Sequence, residues 1–141
     1  MLVIPTYVEK SEIDGLGLYA GKDIEAGEVI WFFDPSNDQV IPATQFDKMI
    51  SVLDTEQQDR FKRWSYRRGD DYVLCADNTK FANHSETPNC QALRLYDVTL
   101  KAISKGEEIT YNYRQIDDVL NQREGALYEQ GEEVGETVGT T

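Results

Sequence analysis

The longest unbroken apolar runs in this chain are only five residues, Val29–Phe33 and Tyr72–Ala76. Acids bracket both, Glu28 and Asp34 around the first and Asp71 and Asp77 around the second. A helix that crosses a bilayer needs about 20 apolar residues, so no membrane span is expected. Runs this short suit small sheets of short strands. At 141 residues the chain is sized for one domain.

The strand signals come in two groups. Leu2-Val3-Ile4, Tyr7-Val8, Gly15–Ala20 and Glu28–Phe33 lie in the first, with Pro5 marking an edge or bend. Tyr72–Cys75, Gln91–Leu95, Val98–Ile103 and Glu108–Tyr111 lie in the second, with Lys105-Gly106 as a turn. Helical signals lie between them. Thr44 and Asp47 resemble an N-cap pair ahead of Met49 and Ile50. Asp54 is a good N-cap for a second helix over about Thr55–Ser65, with Gln57 in the capping-box position and Phe61 and Trp64 on one face. Arg60, Lys62, Arg63, Arg67 and Arg68 make this the only basic stretch, read as a solvated helix face. Near the C-terminus, Ile116, Val119, Leu120 and Leu127 approximate a helical stripe over Asp117–Tyr128. Residues 129–141 lack a core-forming pattern and are expected to be disordered. Together these signals predict a mainly β, α+β domain.

Composition narrows the chemistry. There is one histidine, His84, and there are two cysteines, Cys75 and Cys90. A histidine-rich metal site and a four-cysteine zinc site are both excluded. A relay through imidazole has one candidate, and a disulfide framework has none worth the name, so a reducing compartment is the simplest reading. No signal-peptide pattern opens the chain, and the expected location is cytoplasmic, or nuclear for a eukaryotic or viral chain. The net charge of −12 argues against nucleic acid as main partner and favours a basic one, although acidity also serves solubility alone.

Three segments stand out. Gly15-Leu16-Gly17 lacks the third glycine of a dinucleotide fingerprint and lies between strands; by itself it is a flexible turn where backbone can approach a ligand. Lys80–Cys90 holds Asn83-His84-Ser85 and the turn Thr87-Pro88-Asn89. In isolation these are polar loop residues. Gly106–Tyr113 reads as a strand, with Tyr111 and Tyr113 on one face.

Taken together and in this order, the three segments resemble the SET-domain protein-lysine methyltransferases over about residues 7–113. The first is similar to Gly-x-Gly-x-Tyr-Ala. Phe81-x-Asn83-His84-Ser85-x-x-Pro88-Asn89 is similar to Arg-Phe-x-Asn-His-Ser-Cys-x-Pro-Asn, and Gly106–Tyr113 to Gly-Glu-Glu-Leu-Thr-Phe/Tyr-Asp-Tyr. The resemblance implies a SET domain over residues 1–114, a fold of small curved sheets with a C-terminal pseudoknot and a short helical insert at about 43–66. A helix-like segment at 115–128 and an acidic tail at 129–141 would follow.

The resemblance also implies S-adenosyl-L-methionine in one cleft and a target lysine in a channel from the opposite face. Leu16, Gly17 and Tyr19 match the backbone strip beside the cofactor. Asn83 and His84 match its polar contacts, His84 largely through backbone. Phe81 belongs to the same motif, and Lys80 stands where the family carries Arg near the cofactor carboxylate. Tyr113 matches the catalytic tyrosine. Tyr111 matches the Phe/Tyr position that limits methyl number, and a tyrosine there implies mainly mono-methylation.

Two departures matter. Glu86 replaces the Cys after Asn-His-Ser, and no Cys-rich module follows Tyr113. The segment 116–128, with Leu127 and Tyr128, or a second subunit in a homodimer, would have to cover the lysine channel instead. The expected partner is a protein presenting an exposed lysine, histone-like or otherwise basic. Neither a nucleic acid nor a membrane is expected as partner. The alternative is a SET module without catalysis that binds cofactor or peptide as an interaction protein.

Overall fold

The computed structural model describes residues 1–93 and 95–117. In chain order its strands are β1 (Thr6–Lys10), β2 (Leu16–Ala20), β3 (Val29–Phe32), β4 (Gln39–Pro42), β5 (Ser65–Arg68) and β6 (Asp71–Leu74). There follow β7 (Asn83–His84), β8 (Cys90–Ala92), β9 (Tyr96–Thr99) and β10 (Glu108–Tyr111). Two helices, α1 (Ala43–Ser51) and α2 (Thr55–Trp64), lie between β4 and β5. The strands make three sheets in the orders β1-β2-β10-β7, β3-β9-β8 and β4-β6-β5. No helix among the described residues is long and apolar enough to cross a membrane.

The first sheet positions the motifs. β1 and β2 form an antiparallel pair with Tyr7 opposite Tyr19 and Glu9 opposite Gly17. β10 joins the other edge of β2, with Ile109 opposite Leu18. β7 then pairs with β10 in parallel, Thr110 opposite Asn83 and Tyr111 opposite His84. Two motifs well apart in the chain are therefore neighbours, strand to strand. The β8–β9 hairpin lies between them in sequence and pairs elsewhere. Asn89 reinforces the junction from the loop after β7. Its amide donates to the Glu108 carbonyl at 2.8 Å and accepts from the Thr110 N–H at 2.9 Å.

The main core gathers Leu18, Ala20, Ile30, Trp31, Ile103, Ile109 and Tyr111 around Cys75, Ala82 and Cys90. β10 is interior to its sheet, and Ile109, Thr110 and Tyr111 are all buried. Fully burying a Leu or Ile side chain contributes roughly 1.5–3 kcal/mol, so this short strand carries a large share of the cohesion. Both thiols are reduced and buried. Burial pushes the Cys75 thiol up to about 12 and raises Cys90 as well, so both stay protonated and unreactive at neutral pH.

Several elements differ from the sequence-based expectation, for identifiable reasons. α1 starts at Ala43, so Thr44 falls inside its first turn and cannot cap it; Pro42 occupies the cap position without a side-chain bond. Its first free donor, the Ala43 N–H, instead reaches the Asp70 carbonyl at 2.8 Å. α2 carries the expected capping box, with Asp54 accepting from the Gln57 N–H at 2.8 Å and Gln57 returning a bond to the Asp54 N–H at 3.3 Å. The basic stretch does not form one helix face. Arg60, Lys62 and Arg63 lie on α2, whereas Arg67 and Arg68 lie on β5, which pairs with β6. Leu2 makes an isolated bridge to Trp31 instead of a strand. The segments 115–128 and 129–141 lie almost wholly outside the described residues.

Candidate active site

The glycine strip between β1 and β2 is shaped by what must pass beneath it. Gly15 has φ +46°, in the left-handed region that glycine occupies without a steric penalty. Its carbonyl accepts the Ser11 N–H at 2.8 Å and closes the turn. Gly17 has no room for a side chain. A Cβ there would lie 2.4 Å from Glu108 Oε2 and 3.0 Å from Ser11 Cβ. That gap lets the Glu108 carboxylate reach under β2. It accepts from the Ser11 hydroxyl at 2.8 and 2.9 Å and from Asn83 Nδ2 at 2.8 Å.

Asn83 ties three segments together. Its Nδ2 also lies 3.1 Å from both the Asp14 and Leu16 carbonyls, and its Oδ1 accepts from Arg63 Nη2 at 3.2 Å. The residue is buried at 2% exposure, where an amide needs such partners. Arg63 in turn pairs with the Asp14 carboxylate at 2.6 Å. The turn before β2, strand β7, strand β10 and the last turn of α2 therefore converge on one amide.

Tyr113 lies beside this junction. β10 ends at Tyr111, and Tyr113 opens a short 3-10 turn, so the two tyrosines do not alternate along one continuous strand. The Tyr113 hydroxyl donates to the Ala82 carbonyl at 2.5 Å, one residue before Asn83. Its backbone N–H donates to His84 Nδ1 at 3.0 Å. The imidazole proton therefore sits on Nε2, which faces Glu86 Oε2 at 2.6 Å. Bonds from His84 and then from Arg114 hold the Glu86 carboxyl below its ordinary range. The His84 side chain thus braces Tyr113 and is not set up as an acid or base toward a ligand. Burial raises the Tyr113 pKa; Arg63 opposes the rise, while Asp14 and Glu108 add to it. The phenol is a neutral donor at pH 7.

Tyr111 turns into the core. Its hydroxyl donates to Asp97 Oδ2 at 2.7 Å, and both residues are buried. Burial is the main force that lifts the Asp97 carboxyl up to about 7, with the Tyr111 bond opposing it.

Among the site candidates from sequence, Leu16, Gly17, Asn83, His84 and Tyr113 share this junction. Tyr19 lies opposite Glu108 across the β2–β10 pair, and the Glu108 carboxylate adds to the burial that raises its pKa. Its ring stacks on Tyr7 at 5.5 Å and its hydroxyl donates to the Lys10 carbonyl at 3.0 Å. Lys80 holds its ammonium 5.3 Å above the Trp64 ring and 5.6 Å from the Phe81 ring, with Phe81 edge-on to Trp64.

A model of the SET domain family matches residues 15–114. The chain belongs to the SET-domain family. Histone-lysine N-methyltransferase trithorax of Drosophila virilis is 32% identical over 120 residues, covering 76% of this chain and 3% of that protein. Human histone-lysine N-methyltransferase 2D is 30% identical over 120 residues, covering 77% of this chain and 2% of its own length. The chain thus spans a small fraction of these relatives. Among solved structures, a humanized Chaetomium thermophilum Polycomb Repressive Complex 2 bound to an inhibitor aligns with TM-score 0.61 and 20% identity. That alignment covers 84% of this chain and 16% of the other, and it supports the fold.

The SET domain contains contributors that sequence reasoning passed over. Glu108 was visible inside the Gly-Glu-Glu motif, but its reach beneath Gly17 depends on three-dimensional pairing. Asp14 precedes the first glycine, and no pattern in the sequence marks it. Arg63 carried no signal beyond charge, because its place depends on how α2 docks. Asp97 lies at the centre of a strand, where an acid has no pattern that announces burial.

Proposed function

We propose that this SET domain is an S-adenosyl-L-methionine-dependent protein-lysine N-methyltransferase of the cytoplasm that transfers mainly one methyl group to an exposed lysine. The observation that carries the reading is the Tyr113 hydroxyl, fixed on the Ala82 carbonyl beside Asn83, His84 and the glycine strip. The printed names of the relatives, histone-lysine N-methyltransferases, support the substrate class.

The residues present fit the cofactor. Its amino-acid end carries a carboxylate and an ammonium next to a sulfonium. Gly15 leaves its backbone uncovered, and the Asp14 and Glu108 carboxylates and the Arg63 guanidinium lie around Asn83. When bound, S-adenosylmethionine supplies a methyl group activated by positively charged sulfur. Asn83 and Glu108 keep the glycine strip in one conformation. Tyr113, with its proton committed to Ala82, presents its oxygen lone pairs to an arriving amine and to polarised methyl hydrogens. His84 and Glu86 hold the backbone of that tyrosine in place.

No side-chain base is needed. A free lysine has a pKa of about 10.4. A neighbouring positive charge and a dry channel both favour the neutral amine. Most of the acceleration then comes from aligning two bound reactants. The mono-methyl reading rests on the resemblance at Tyr111, the position that limits methyl number in the family; here its hydroxyl is held by Asp97 inside the core.

Incubation with methyl-labelled S-adenosylmethionine and histones tests the proposal. Label on lysine, mostly as mono-methyl-lysine, is the expected result. Tyr111→Phe is expected to shift product toward di- and tri-methyl-lysine. Efficient tri-methylation by the native protein, unchanged in Tyr111→Phe, contradicts the mono-methyl assignment. Cofactor binding without transfer to histones or to a cell lysate would instead support the non-catalytic alternative.

A further inference from the structure

We infer that Arg63, on the helical insert, is the residue that grips the carboxylate end of the cofactor. This rests on the reading of the junction as an S-adenosylmethionine site. Lys80 occupies the sequence position from which a cation toward that carboxylate was expected. Its ammonium instead lies over the Trp64 and Phe81 rings. Arg63 reaches the junction from the last turn of α2. Its Nη2 lies 3.2 Å from Asn83 Oδ1 and 4.0 Å from where a Gly15 Cβ would be, and its Nη1 lies 2.6 Å from Asp14 Oδ2. Its charge is also felt at Tyr113, where it opposes the effect of burial.

The chemistry of the pair suits exchange. A guanidinium matches a carboxylate with two parallel hydrogen bonds, which a lysine ammonium cannot do. Asp14 already shows that a carboxylate fits this position. The Arg63 and Asp14 side chains are 42% and 62% exposed, and exposed ion pairs contribute little to stability. A ligand carboxylate can therefore replace Asp14 at small cost. Asp14, once released, is a natural partner for the ligand ammonium. Without Arg63, an anionic group arriving at Asn83 meets the Asp14 and Glu108 carboxylates.

Calorimetric titration separates this role from a structural one. The ligands are S-adenosylmethionine and its decarboxylated analogue. The proteins are native, Arg63→Met, Arg63→Lys and Asp14→Asn. Native protein is expected to bind the decarboxylated compound about 10- to 100-fold more weakly, the range for losing charge-assisted bonds. Arg63→Met is expected to weaken S-adenosylmethionine to the same degree and to bind both compounds alike. Arg63→Lys should fall between, and Asp14→Asn should not weaken carboxylate recognition. Arg63→Met should melt within a few degrees of native. Native-like affinity in Arg63→Met, with persisting discrimination between the two ligands, overturns the inference while the cofactor reading stands. Equal loss of discrimination between the two ligands in Arg63→Met and Asp14→Asn also overturns it, since that pattern marks the ion pair as a structural tie. No binding of S-adenosylmethionine by native protein overturns the cofactor reading itself.

Discussion

Gly17 and Asp97 show how single side chains set this site. The space above Glu108 at Gly17 is smaller than a methyl group. Gly17→Ala must push away a carboxylate anchored by Ser11 and Asn83. Overpacking of this kind costs about 1–3 kcal/mol. The variant is expected to unfold at lower denaturant and to bind S-adenosylmethionine more weakly, as chemical denaturation and calorimetry would show; unchanged values for both would contradict the packing described. Asp97 gives a pH signature. Its folded-state carboxyl sits at about 7, above the ordinary carboxylate range. The folded protein therefore binds more protons than the unfolded chain between about pH 4 and pH 7. Its contribution is most favourable below that window and is lost as pH rises through it. Asp97→Asn, which keeps an acceptor for Tyr111, is expected to gain stability over native as pH rises from 4 to 8, by up to roughly 4 kcal/mol. Urea midpoints measured across that range would check it, and a constant difference between the two proteins would contradict it. Neither feature was legible in sequence. Gly17 was visible as a glycine, but the reason for it is a residue far along the chain.

The elements divide by how local their causes are. α2 was legible because its signals are local: the Asp54–Gln57 box lies within one turn and forms as read. Asp54→Ala is expected to cost about 1 kcal/mol and to lower the melting temperature while leaving cofactor affinity nearly native. β10 was legible to its bounds because Glu108–Tyr111 follows a clear turn at Lys105-Gly106. β7 was not, because two residues carry no strand pattern and exist as a strand only through their parallel pairing with β10. The same holds for β4 and β5, each held by β6. Asn89 is the test of that junction. It satisfies a carbonyl and an N–H of β10 from a buried position. Asn89→Ala leaves both without that partner and is expected to destabilise by about 2 kcal/mol or more, read as a lower denaturation midpoint. A shift below half of that would place the strength of the β7–β10 junction elsewhere.

At the scale of the molecule, the family resemblance made the fold accessible in advance, together with the motif residues that meet at the Asn83 junction. Periodicity alone did not, because parallel contact between β7 and β10 is non-local. The resemblance also drew attention to Lys80, whereas the structure brings Arg63 from the variable insert to the junction. An insert is where family patterns carry least information, so its contribution had to come from geometry. Charge is likewise unevenly placed. Residues 115–141 hold seven acids and one arginine, half of the net −12. The described domain is thus only moderately acidic, and attraction to a basic substrate is a smaller effect than the total suggests. The central claim is that a fixed Tyr113 hydroxyl directs methyl transfer to a lysine. The most direct measurement is the initial rate of labelled methyl transfer to histones by native protein and by Tyr113→Phe, at saturating cofactor. With equal folding and cofactor binding in both, the account predicts a loss of about 100-fold or more in Tyr113→Phe, the scale for removing a preorganised polar group at a reacting centre. Equal rates for the two proteins would contradict it.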